Sequence, residues 1–108
     1  MIEYEIEMSR ERHPVPVARF KDKAYELVGT FLLAEARSFG EEIAEALDEV
    51  CAGGKESGAF SGNAFSLEIS RNVTVIADDI MGRECEIDTR ELRSIVDAYR
   101  RSCRQADR

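Results

Sequence analysis

The sequence is short of histidine, of paired cysteines, of long apolar runs and of positive charge. Its one histidine, His13, precedes Pro14 in a polar stretch with no second histidine or cysteine close by. Ser-His-Asp and Cys-His catalysis need a histidine held against a nucleophile, so a loop histidine reads as a surface residue. The three cysteines are Cys51, Cys85 and Cys103. An odd count without close pairs argues against a disulfide framework and for a reducing compartment. With no C-x-x-C or H-x-x-x-H spacing, no zinc site is expected. Each cysteine falls at an apolar position of its element, where a thiol packs as a small hydrophobe.

The longest apolar run in the middle of the chain, Phe31-Leu32-Leu33-Ala34, is far too short to span a bilayer. The acidic, alternating start Met1–Met8 is the opposite of a signal peptide. A soluble, cytoplasmic protein is expected. No solenoid-length repeat, low-complexity tract or interdomain linker appears. The 108 residues therefore predict one domain, 1–108, long enough to bury a single core.

The shortage of positive charge is uneven. Residues 1–89 carry 19 acids against 9 bases, whereas 90–108 carry 3 against 6. An acidic surface repels a phosphate backbone, which disfavours nucleic-acid binding and suits a basic protein partner or simple solubility. Gly53-Gly54-Lys55 resembles the end of a phosphate-binding loop only superficially. Glu56 replaces the required Ser or Thr, and the triplet follows a helical pattern rather than a strand.

What the sequence has is clear alternation. Ile2, Tyr4, Ile6 and Met8 alternate with Glu3, Glu5 and Glu7, a half-buried strand. Val15–Phe20 predicts its hairpin partner, with Val15, Val17 and Arg19 sharing a face and Pro16 at an edge. Asp22 caps a helix with Ala24, Leu27, Val28, Phe31, Leu32 and Ala36 inward, and Gly29 marks a close contact or a break. Ser38-Phe39-Gly40-Glu41 fits a capping box opening a second helix with Ile43, Leu47, Val50 and Cys51 inward. Lys55–Asn63 predicts a loop from which Phe60 tucks in. Phe65, Leu67 and Ile69, then Val73–Ala77, predict a second hairpin, followed by a short strand at Cys85–Ile87. Asp88 and Glu91, at capping-box spacing, open a last helix with Leu92, Ile95, Val96, Tyr99 and Cys103 inward, and 104–108 should fray. The expected fold is α+β: one antiparallel sheet of two β-hairpins with three helices packed on it.

The densest chemistry follows the second hairpin, where Asp78, Asp79, Glu84, Glu86 and Asp88 supply five carboxylates. In an extended strand Glu84, Glu86 and Asp88 share one face. A divalent-cation site lacks the EF-hand spacing, and a carboxylate hydrolase needs a cleft and a raised pKa. A protein-binding face needs only exposure and a basic partner. No metal and no cofactor is therefore assigned. A small carboxylate- or metal-dependent hydrolase stays as the alternative. So does a structural or regulatory homodimer using Arg93, Arg100, Arg101 and Arg104, the oligomeric state being left open.

Several stretches carry a family resemblance: Tyr4-Glu5-Ile6, Val17-Ala18-Arg19-Phe20, Tyr25–Leu32 running into Ile43–Val50, Gly62–Ile69 with Val73–Ala77, and Glu91-Leu92 up to Ala98-Tyr99-Arg100. On these the chain resembles the small immunity proteins of contact-dependent growth-inhibition systems and, more loosely, the YacL-like family of small bacterial proteins. The resemblance implies a non-catalytic inhibitor that binds one cognate toxin domain in the cytoplasm. Such toxins are often nucleases with basic active sites, which an acidic protein can block. No contact residue carries over by motif. The five carboxylates from Asp78 to Asp88 are the expected toxin-binding face, with the exposed acids of the second helix, Glu41, Glu42, Glu45, Asp48 and Glu49, as an alternative patch.

Overall fold

Period-2 alternation becomes two antiparallel sheets. A computed structural model of the protein describes residues 1–107. In it β1 (Tyr4–Met8) pairs with β2 (Pro16–Phe20), and the Tyr4 and Phe20 rings stack across the ladder. Four more strands, β3 (Ser57–Ser61), β4 (Phe65–Ser70), β5 (Val73–Asp78) and β6 (Glu84–Asp88), follow one another in a meander. With helices on one side of that sheet, the class is α+β as expected.

The two hairpins do not share a sheet, which corrects the single sheet expected. The reason lies in β2. The Ala18 carbonyl oxygen would stand 2.6 Å from a Cβ at Gly29, so the helix following β2 seats on this strand and Gly29 makes the close approach possible. The Pro16 carbonyl accepts a 2.8 Å bond from the buried Tyr99 hydroxyl, and proline offers no N–H to another strand. These contacts also reverse the expected phase of β2. Pro16 and Ala18 are buried, whereas Val17 is half-buried and Arg19 lies outside, paired with Glu7 across the ribbon.

Asp22 caps as expected, accepting from the Ala24 N–H at 2.9 Å and opening a 3₁₀ turn over Lys23–Tyr25. The chain then runs as α1 (Glu26–Phe31), a π turn (Leu32–Ala36) and α2 (Arg37–Cys51) without interruption. The described residues thus form two helical bodies instead of the three expected. Ser38 makes no capping bond; only Phe39 (φ −120°, ψ 23°) leaves helical geometry, kinking the helix where its ring meets Phe60 at 5.9 Å. Gly54, at φ +80°, follows the end of α2.

The stretch expected as a loop over 55–63 contains β3. Its small residues let α2 come down onto the strand: a Cβ at Gly58 would touch Val50 and the Ala46 carbonyl at 3.2 and 3.4 Å. Phe60 tucks inward as expected. The last helix, α3 (Thr89–Ala106), is capped by Asp88, which accepts from the Glu91 N–H at 2.9 Å. Helix persists through the 104–106 segment expected to fray, with Arg104 in the last turn complementing the helix dipole. Arg108 lies outside the described residues.

The core fills the space between the helices and the inner face of β3–β6. Phe31, Leu47, Leu67, Ile76, Leu92 and Tyr99 sit at its centre, fully or almost fully removed from solvent. Burying side chains of this size stabilises by about 1.5–3 kcal/mol each. No helix among the described residues is long and apolar enough to cross a membrane.

Candidate functional site

Because helices cover one face of the β3–β6 sheet, the alternate residues of each strand form an open face. The register places Ala59, Glu68, Val75 and Glu86 in one row across it, and Ser61, Ser66, Ala77 and Glu84 in the next. Ser57, Ser70, Val73 and Asp88 complete it toward the Arg71-Asn72 turn. Apart from small residues, this face carries Glu68, Glu84, Glu86 and Asp88. Among the described residues no lysine or arginine stands on it. The pleat that exposes Glu84, Glu86 and Asp88 buries Cys85 and Ile87, as expected.

The five carboxylates differ in what they can do. Asp78, in phase with Thr74 and Ile76, points to the inner face and is only 5% exposed. Its Oδ1 accepts from the Ile80 and Met81 N–H groups at 3.0 Å each, and its Oδ2 accepts from Arg83 Nη2 at 2.8 Å. These donors, the Met81 N–H foremost and the Arg83 guanidinium next, hold the carboxyl below the usual aspartate range. Asp78 therefore organises the β5–β6 turn and is not available as a contact. Asp88 is exposed but spends an oxygen on the α3 cap. Asp79 is exposed at the turn, accepting from the Ser66 hydroxyl at 3.1 Å. Glu84 and Glu86 are exposed, and among the described residues neither side chain is held by a hydrogen bond or ion pair.

The turn that Asp78 braces closes with the Gly82 N–H on the Asp78 carbonyl at 2.8 Å and Gly82 at φ +76°. It lifts Ile80 and Met81 into solvent, 74% and 71% exposed. Two large apolar side chains stand on a braced tip, with Asp79, Arg83 and Glu84 beside them.

One carboxylate that sequence reasoning missed is the most buried. Glu35, with no exposed surface, lies in the π turn and accepts from the N–H groups of Asn63, Ala64 and Phe65 at 3.1, 2.8 and 2.7 Å. Charge-assisted bonds of this kind satisfy an anion that burial would otherwise penalise. The signal was present: Glu35 is four residues after Phe31 and three after Leu32, on the buried stripe. Its role is structural, bonding the β3–β4 turn to the helix.

Open clefts of about 380–780 Å³ lie mostly along the β1–β2 ribbon and at the Arg71-Asn72 turn. Of the five carboxylates, only Asp88 lines one of these, beside Tyr25, Arg90 and Glu91. Among the described residues no three His, Cys, Asp or Glu side chains are grouped to hold a metal ion. The Cys85 thiol donates to the Ala24 carbonyl at 3.2 Å, and burial, with the nearby Glu86, pushes its pKa up. That describes an inert packing thiol. Two of the five arginines of α3 are occupied within the chain. Arg93 binds Asp48, with Nη2 2.9 Å from Oδ2, and also pairs with Asp97; the Arg100 stem packs on Gly40. No protein family, curated protein or solved structure matches the chain.

Proposed function

We propose that the chain is a non-catalytic binding protein that neutralises a basic, nuclease-type toxin domain in the cytoplasm. The observation that carries this reading is the open sheet face, which bears Glu68, Glu84, Glu86 and Asp88 and no described base. A surface of one sign steers an oppositely charged partner and suppresses wrong ones. The flat, small residues between the acids let a partner approach the backbone, and Ile80 and Met81 offer the apolar anchor that binding hot spots use. The resemblance to growth-inhibition immunity proteins supplies the kind of partner. The spread of the carboxylates along a face, rather than around a cleft, favours binding over hydrolysis.

The test is calorimetric titration of the purified chain with the toxin domain encoded beside its gene. Binding should fall steeply with salt and weaken when Glu68, Glu84 and Glu86 are changed together to glutamine. Failure of the wild-type chain to bind removes the toxin reading; binding unchanged in the triple variant moves the interface elsewhere.

A further inference from the structure

Hydrogen-bond alternation shows which backbone groups each sheet leaves open. The Gly62 N–H bonds the Phe65 carbonyl at 2.9 Å, so Phe60 and Gly58, two and four residues earlier, also turn their backbone toward β4. Ser57, Ala59 and Ser61 then direct N–H and C=O away from the sheet, and all three are exposed. On the opposite edge the same logic leaves the backbones of Glu84, Glu86 and Asp88 facing outward.

Open edges invite a further strand, and proteins blunt them with charge or proline. Of the outermost strands, β1 carries Glu5 and Glu7, β2 carries Pro16 and Arg19, and β6 carries three carboxylates. The sequence of β3, Ser-Gly-Ala-Phe-Ser, has neither. The lane beside it is bordered by acids on both sides. Above it α2 presents Phe39, Glu42, Ala46 and Glu49 as one stripe at helical spacing, with Phe39 and Ala46 touching β3. On the open face Glu68 stands directly beside Ala59. Lys55 neutralises Glu49 only.

We infer that the β3 edge takes an extended, lysine- or arginine-bearing segment of another protein as an added fifth strand. Main-chain bonds to Ser57, Ala59 and Ser61 give the register, and basic side chains on the helix side meet Glu42. A second copy fits the backbone, with Ala59 on a twofold axis, but it sets the acidic flanks of two α2 helices against each other. Like charges so placed disfavour that pairing. The inference shares Glu68 with the toxin reading but rests on the β3 edge rather than on the open face, and its test needs no toxin domain.

The test uses the whole chain and a capped peptide of alternating lysine and valine, with a glutamate–valine peptide as control. Amide exchange is followed residue by residue. The lysine peptide should slow exchange at Ser57, Ala59 and Ser61, and the glutamate peptide should not. Glu42→Lys should weaken the effect by about tenfold, and Ser57→Lys with Ser61→Lys should weaken it independently of whether Ala59→Pro folds. Absence of protection at these three amides overturns the inference. So does protection that arises without peptide and grows with protein concentration, which assigns the edge to a second copy. Protection centred on Glu84, Glu86 and Asp88 likewise overturns it.

Discussion

The Glu35 carboxylate occupies the space that any side chain at residue 62 would need: a Cβ on Gly62 would stand 2.5 Å from it. The helix and the β3–β4 turn therefore fit each other through one anion and one missing methyl group. Gly62→Ala and Glu35→Gln should each lower stability by about 2–4 kcal/mol, the first by collision and the second by setting an amide against N–H donors. Urea denaturation checks both, and a strongly non-additive double variant should identify them as one unit.

Asp78 predicts a pH dependence. Its carboxyl is held below the ordinary range, so its contribution is complete above about pH 4 and is lost as pH falls through the lower folded value. Asp78→Asn should remove that part of the acid dependence. It should also speed amide exchange at Ile80 and Met81 while β4 stays protected.

Asp88 and Glu86 lie on the same face but should separate by role. Asp88→Ala removes the α3 cap and should cost about 1 kcal/mol. Glu86→Ala should leave thermal stability within about 0.5 kcal/mol. An equal loss from both would contradict the assignment of Asp88 to the cap.

Tyr99→Phe should cost about 1–2 kcal/mol, because it strands the Pro16 carbonyl without its donor. The loss should appear as earlier exchange of the β1–β2 ribbon, measured by hydrogen exchange with fragment analysis.

The strands with alternating polarity, the caps at Asp22 and Asp88 and the inward Phe60 were legible because each is set by residues near in sequence. What was not legible depends on distant partners. The phase of β2 is decided by Gly29 and Tyr99, and β3 is a strand because α2 and β4 bracket it. Ser38 has no helix start to cap because the helix runs on through it, and the kink falls at Phe39, whose ring meets Phe60. At the candidate site the exposure of Glu84 and Glu86 followed from alternation. Asp78 fell inward by that same alternation, which extending the Val73–Ala77 pattern by one residue would have shown.

The π turn at Leu32–Ala36 acts as a phase shifter between two lengths of helix. A single residue turns an α-helix by about 100°, so a wider turn resets which side of α1 faces the core relative to α2. Wound at regular α pitch with no residue removed, the same segment would carry α2 further around the helix axis relative to α1. Either Phe31 or Ile43 would then rotate out of the core. The spacing of this segment is as much a fixed quantity of the fold as the identity of its side chains.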